Sequence, residues 1–213
     1  MQSEEILEWA DEVYFSIWED VDSKSKILKI DNRFLNQDED LVLKNIKDIT
    51  DLTLIKFYSC FKWWKMHWVN RDSFNVKVEG TFEFIHIEEV MQDWDDDFGG
   101  NSWAPDMKGF RPFDMFYEME GQVGFFVGRP DKKGLYLSKT DGETQPLHVD
   151  FEGYLKLLTL SKGFGWWQNA LIEISTGVHQ PNTDSFRENM PKIFPEFNWD
   201  EFVALYQSVR IDK

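Results

Sequence analysis

The spacing of the hydrophobic residues changes twice along this chain, and that change is the strongest constraint on its fold. Up to Arg71 the apolar residues recur at helical spacing, as in Ile6, Trp9 and Val13. After Arg71 they alternate with polar residues in the manner of a β-strand, and after Asp150 the helical spacing returns. We therefore predict an α+β fold in which a predominantly antiparallel central sheet is flanked by N- and C-terminal helices.

The clearest helix of the N-terminal part is predicted to begin at Asp51. Six large apolar or aromatic residues follow Asp51 at offsets of three, four and seven, which is the spacing of one helix face. The pattern predicts one continuous helix that packs into the core. The face consists of Leu54, Phe57, Tyr58, Phe61, Trp64 and Trp68.

The sheet is predicted to span residues 74 to 149, with hairpin connections between its strands. Beyond the sheet, Asp150 and Asn198 are predicted to cap helices, Gly177 to end one, and His179–Ser185 to form a linker. A chain of 213 residues fits one domain. We assign it an N-terminal helical extension over about residues 1–70 and a C-terminal helical extension over about residues 164–213.

Negative charge is concentrated in the thirty residues from Val78 to Met107, which hold nine carboxylates and no Lys or Arg. This segment supplies more than half of the net charge of −16. Such a field beside aromatic residues favours a positively charged partner, and the alternative is a solvated loop that keeps the protein soluble. The predicted partner-binding residues are Asp93, Trp94, Asp95, Asp96, Asp97 and Trp103.

The sequence lacks the residue groupings that metal, phosphate or nucleophilic chemistry requires. The histidines His67, His86, His148 and His179 are isolated from one another, without the i, i+4 pair of a helical metal site. Cys60 is the only cysteine, which excludes an intramolecular disulfide and a cysteine-based zinc site, and we expect it to be a small buried side chain. We therefore predict no metal, no cofactor and no catalytic residue.

Charge and hydropathy also exclude several classes of partner. A sequence pI near 4.6 argues against binding to a phosphate backbone, because nucleic-acid binders usually carry a basic face. The chain has no apolar run near the roughly 20 residues that span a bilayer, and the acidic start Met1–Glu5 does not resemble a signal peptide. We predict a cytoplasmic protein that binds neither nucleic acid nor membrane.

Three stretches between Gly80 and Gln168 resemble the SUKH superfamily, which includes fungal cell-wall-synthesis regulators and many bacterial immunity proteins. Gly80–Val90 is similar to the family's strand that runs into a short acidic helix. Phe110–Phe113, with the strand-like runs that follow it, is similar to the central meander, and Val149–Leu155 to the late helix. The chain lacks the Leu-Pro and Asn-Gly pairs that members often carry around an early helix.

The resemblance implies a compact α+β module without catalytic activity that binds other proteins, most often a cognate toxin in bacteria. Together with the acidic segment it leads us to predict an immunity protein that neutralises a basic toxin by direct binding. One alternative is a housekeeping adaptor or scaffold of the same fold. Another is a carboxylate-dependent hydrolase, which would show a deep cleft lined by two acids with strongly raised pKa values.

Overall fold

A computed structural model of the protein describes residues 1–22, 27–36, 51–70, 78–94, 107–116, 120–139 and 143–213, with only the backbone described for 18–22 and 27–36. Helices and strands alternate at first, strands then dominate the middle, and helices follow. The helices are α1 (Ser3–Asp22), α2 (Leu52–Cys60), α3 (Ile87–Val90), α4 (Phe151–Ser161), α5 (Gln168–Thr176), α6 (Thr183–Ile193) and α7 (Trp199–Val209). The strands are β1 (Ile27–Asn36), β2 (Phe61–Asn70), β3 (Glu79–Phe84), β4 (Phe110–Phe116), β5 (Gly121–Phe126), β6 (Tyr136–Lys139) and β7 (Thr144–Pro146).

These strands form a single antiparallel sheet in which each strand lies beside the next one along the chain. The predicted α+β class, with an antiparallel sheet flanked by helices, is confirmed. None of the described helices is long and apolar enough to cross a bilayer.

The prediction of one helix from Leu54 to Trp68 was wrong. Helix α2 ends at Cys60, and the chain continues directly into β2, which pairs with β1 on one side and β3 on the other. Trp64 and Trp68 are four residues apart, an even spacing that keeps them on one face of a strand as well as on one face of a helix. Met66 between them is also buried, which fits the strand. The described part of residues 1–70 therefore contributes two strands to the sheet as well as the helices α1 and α2.

The structure also bears on the predicted linker and on the first residues of the predicted sheet. Part of the predicted linker His179–Ser185 is already helical, because α6 begins at Thr183; its buried residues Phe186, Met190 and Ile193 follow helical spacing. The turn-forming residues before α6 and the proline inside it obscured this pattern. The beginning of the predicted sheet, at residues 74–77, lies outside the described residues.

One face of the sheet packs against helices through aromatic rings. Trp64 of β2 lies edge-on to Trp9 of α1, with ring centroids 5.4 Å apart. The indole N–H of Trp68 donates to the carbonyl oxygen of Lys162 at 2.6 Å, so this tryptophan also satisfies the backbone just beyond α4. This aromatic core includes Trp9, Phe57, Phe61, Trp64, Phe82, Phe84, Phe113, Phe151 and Tyr154.

The carboxylate of Asp51 joins the first turns of two helices. Its Oδ1 accepts from the backbone N–H of Thr53 at 2.9 Å and of Leu54 at 3.1 Å, which caps α2. Its Oδ2 accepts from the backbone N–H of Phe151 at 3.0 Å, at the start of α4. A single side chain therefore satisfies free N–H groups of both helices and fixes their N-termini beside one another.

The other predicted caps lie where the sequence placed them. Asp150 accepts from Gly153 N–H at 2.8 Å at the start of α4. Asn198 accepts from Asp200 N–H at 2.9 Å at the start of α7. Gly177 ends α5 in the left-handed conformation, with φ of 70°. These termini are fixed by contacts within a few residues.

We predict that Asp51→Ala lowers the free energy of unfolding by about 2–3 kcal/mol, because it leaves N–H groups of two helices without their acceptor. Asn198→Ala removes a cap that serves one helix and should cost about 1 kcal/mol. Urea denaturation of the two variants and the parent protein measures both losses. Equal losses in the two variants would contradict a role for Asp51 in joining α2 to α4.

Candidate functional site

The first part of the acidic segment, up to Trp94, contains strand β3 and helix α3. Helix α3 exposes the carboxylates of Glu88 and Glu89, and Asp93 follows with 76% of its side chain exposed. The guanidinium of Arg111 on β4 lies 3.6 Å from Asp93, and the Arg111 side chain is only 14% exposed. The described beginning of the segment therefore presents negative charge to solvent. Asp95, Asp96, Asp97 and Trp103 lie outside the described residues.

Trp94 belongs to the core, unlike Asp93 beside it. Only 9% of its surface is exposed, and its indole N–H donates to the carbonyl oxygen of Glu89 at 2.8 Å. That hydrogen bond folds the chain back onto α3. Trp94 is therefore fixed against the core, and little of its surface is available to a partner.

A buried polar network lies at the centre of the sheet, around Asp114 of β4. Its Oδ1 accepts from the backbone N–H of Glu83 on β3 at 2.9 Å. Its Oδ2 accepts from the hydroxyl of Tyr154 on α4 at 2.6 Å, and the Gln168 side-chain amide donates to that same hydroxyl at 3.0 Å. The β4–β5 register shifts between Pro112 and Asp114, at a proline that has no N–H to give to a ladder.

Burial dominates the protonation of this network. Burial raises the pKa of Asp114 from 3.8 to about 6, although the hydrogen bonds from Tyr154 and Glu83 oppose the rise. Burial, and then the nearby Asp114 charge, raise the pKa of Tyr154 well above its ordinary value. Tyr154 therefore stays protonated and acts as a hydrogen-bond donor to Asp114.

The Asp114 network does not form the cleft that a carboxylate-dependent hydrolase requires. The raised pKa of Asp114 comes mainly from burial of its carboxyl group. It is fully buried, and its hydrogen bonds connect β3, β4 and α4. The geometry in this part of the protein therefore indicates a structural role.

The histidines have separate partners, and Cys60 is partly accessible. Within the described residues no group of three or more His, Cys, Asp or Glu side chains could hold a metal ion. Cys60 is half-buried, with its Sγ 3.7 Å from the carbonyl oxygen of Ser3, so it is less buried than predicted. The histidine contacts are His67 with Glu79 at 3.4 Å, His148 with Asp212 at 3.1 Å, His179 with Glu173 at 3.2 Å, and His86 stacked on Trp63.

A cavity of about 660 Å³ opens beside the loop between β5 and β6. Its lining includes residues 127–130 and 132–135 of this loop and residues at the adjoining N-termini of α2 and α4. Ile211 in the C-terminal segment completes the lining, held there by a hydrogen bond from its backbone N–H to the carbonyl oxygen of His148 at 3.0 Å. The cavity therefore depends on the contact between the two helix N-termini.

Sequence reasoning identified neither the Asp114 network nor the cavity. Asp114 lies in the strand-like run Phe110–Tyr117, where a lone acid is a weak exception to an apolar pattern. The cavity draws on segments that are distant in sequence. A usable signal was present in Arg129-Pro130-Asp131-Lys132-Lys133, a cationic turn in a strongly acidic chain.

We predict that Asp114 makes the protein less stable as the pH rises. The pKa of Asp114 is 3.8 as an ordinary value and about 6 in the folded protein. Between these pH values the native state binds more protons than the unfolded chain, so the free energy of unfolding falls as the pH rises. The total fall is about 3 kcal/mol. Asp114→Asn cannot ionise and should remove this part of the pH dependence, as measured by urea denaturation from about pH 4.5 to about pH 8.

The matched control is Asp11→Asn, which neutralises an exposed carboxylate of α1. Its stability should follow the same pH dependence as the parent protein, because the burial that acts on Asp114 is absent at this exposed side chain. If Asp114→Asn also keeps the parent's pH dependence, ionisation of Asp114 does not destabilise the fold.

Comparison with protein-family models, curated proteins and solved structures finds no match for this chain. The resemblance to the SUKH superfamily therefore stays a prediction based on the residues quoted above.

Proposed function

We propose that this chain is a non-catalytic protein-binding module, namely a cytoplasmic bacterial immunity protein that neutralises a basic toxin by direct binding. The observation that carries the proposal is the concentration of nine carboxylates, without Lys or Arg, in Val78–Met107. The resemblance to the SUKH superfamily supports it, because members of that family bind proteins and are often immunity proteins.

The exposed charges at the start of this segment suit a basic partner. Glu88, Glu89 and Asp93 present carboxylates to solvent, and the neighbouring cation, Arg111, is largely covered. Opposite charge on two proteins accelerates their encounter and disfavours partners of the wrong sign. A toxin domain that acts on nucleic acid carries positive charge itself. An acidic inhibitor could therefore occupy the basic surface that such a toxin needs for its substrate.

The packing of Trp94 attaches the described part of the acidic segment to the core. Its hydrogen bond to Glu89 and its burial attach the start of the segment to the core. A charged surface on an ordered attachment loses less conformational entropy on binding than a free tail does. In this proposal Asp93, Asp95, Asp96 and Asp97 steer association, and Trp103 is the apolar anchor.

The two alternatives predict different observations. An adaptor of the same fold would bind a partner that has no toxicity. A carboxylate-dependent hydrolase would need paired acids in a cleft, and the buried Asp114 does not supply that arrangement. The acidic segment favours the binding module over the hydrolase.

The direct test is to co-express the chain with the product of the gene that lies directly upstream of its own. We expect stoichiometric binding by purified components and relief of growth inhibition. Binding without any toxicity of the partner would favour the adaptor. Growth inhibition that the chain neither binds nor relieves would exclude immunity toward that protein.

We predict that Asn at Asp93, Asp95, Asp96 and Asp97 together slows association with the partner and flattens its salt dependence, because steering charges act mainly on the association rate. Trp103→Ala should instead accelerate dissociation by the equivalent of roughly 2 kcal/mol or more. Surface-plasmon or stopped-flow kinetics at two ionic strengths measure both effects.

The matched control removes four charges from α1, whose carboxylates Glu4, Glu8, Asp11 and Glu12 are also exposed. Gln or Asn at these four positions changes the net charge equally but leaves the acidic segment intact. The association rate should fall much less in this control. Equal slowing in both variants would show that total charge, and not the segment, attracts the partner.

A further inference from the structure

The cavity beside the β5–β6 loop is lined by cations, although the chain has a net charge of −16. Arg129, Lys132 and Lys133 all contribute to its lining and lie within five residues of one another. Their effect on a ligand depends on how far neighbouring groups already compensate these charges.

The acids that line the cavity are engaged by helix N-termini. Asp51 accepts three backbone N–H groups from α2 and α4, and Asp150 accepts one from α4. The partial positive charge of each helix N-terminus offsets these carboxylates. Their negative charge at the cavity is therefore reduced.

The loop cations differ in how far they are neutralised. Arg129 binds both carboxylate oxygens of Asp131, at 3.1 and 2.9 Å, and this contact holds the pKa of Asp131 below its ordinary value. Lys132 lies over the ring of Phe126, 4.4 Å from its centroid, an interaction that keeps the ammonium charge intact. Lys133 forms no ion pair with any described residue. The charge of Lys132 helps to lower the pKa of Asp131, whereas Lys133 has no carboxylate partner in the described part of the chain.

The rest of the lining is apolar. Leu54, Phe125, Leu135, Phe151 and Ile211 form walls beneath the cationic loop. The volume of about 660 Å³ falls within the range of roughly 300–1,000 Å³ that is usual for small-molecule sites. Apolar walls with a few polar groups at one end fit a ligand that has an apolar body and one charged end.

We propose that this cavity binds a small organic anion, with an aromatic or otherwise apolar body against Phe125 and Ile211 and a carboxylate, sulfonate or phosphate toward Lys132 and Lys133. The overall negative charge repels anions at long range, so the attraction acts only within the cavity. None of the cavity's lining residues belongs to the acidic segment, and the proposal does not rest on the proposed function.

The test uses two fluorescent probes of similar shape, the anion 8-anilinonaphthalene-1-sulfonate and the neutral N-phenyl-1-naphthylamine. We expect saturable one-to-one binding of the anion, weakened about fivefold or more by Lys132→Gln with Lys133→Gln. The neutral probe should bind the parent protein more weakly than the anion does. It should bind the parent protein and the double variant with equal affinity. Amide NMR shifts on adding the anion should be largest at Gly134, Leu135 and Ile211.

The control Lys62→Gln with Lys192→Gln removes the same charge from lysines outside the cavity lining and should leave the affinity for the anion unchanged. Lys133→Gln alone, which leaves the contact of Lys132 with Phe126 intact, should still weaken it. The proposal is overturned if the anion does not bind, if both double variants weaken it equally, or if the neutral probe binds as tightly. Tighter one-to-one binding of a hexaglutamate peptide at the same amides would likewise overturn it in favour of an acidic peptide.

Discussion

The buried carboxylate of Asp114 joins strands β1–β3 to strands β4–β7. The arrangement of β3, β4 and α4 depends on it. Strands β3 and β4 meet where Phe84 lies opposite Asp114, supported by a backbone hydrogen bond from Ile85 to Phe113 at 2.9 Å. The Asp114 side chain adds a further link, because it accepts from the backbone N–H of Glu83. Tyr154 then ties α4 to the same carboxylate. Three elements are thereby positioned by one side chain, at the energetic cost of keeping a carboxylate out of water.

Asp51 plays a comparable role at the helix N-termini. Its carboxylate sets α2 beside α4, and the space left between these termini and the β5–β6 loop is the cavity. Helix N-termini engage the acids of the cavity lining, so these acids oppose the lining cations less. Asp51 is therefore both a structural cap and a reason why the cavity is less negative than its composition implies.

The negative charge of the acidic segment and the positive charge of the cavity lysines act over different distances. The acidic segment acts over roughly a Debye length, about 8 Å at physiological salt, and suits the encounter with a large basic partner. The two lysines act beside a largely apolar cavity that is partly open to solvent, where an ion pair is screened less than on a flat surface. The acidic character of the whole chain therefore does not prevent it from holding an anion locally.

The sequence by itself determined the α+β class, the meander order of the later strands, and helix termini such as those at Asp150, Gly177 and Asn198. Those features depend on hydrogen bonds and spacing within a few residues, so they can be read locally. Of the candidate site, the exposure of Asp93 followed from composition, whereas Asp95–Asp97 and Trp103 lie outside the described residues. The tertiary structure alone decided that Phe61–Asn70 is a strand and that Trp94 is buried. It also decided that the Asp114 network and the cavity form. Each of these requires a partner far along the chain: β1 and β3 for β2, the core for Trp94, and α4 for Asp114 and the cavity.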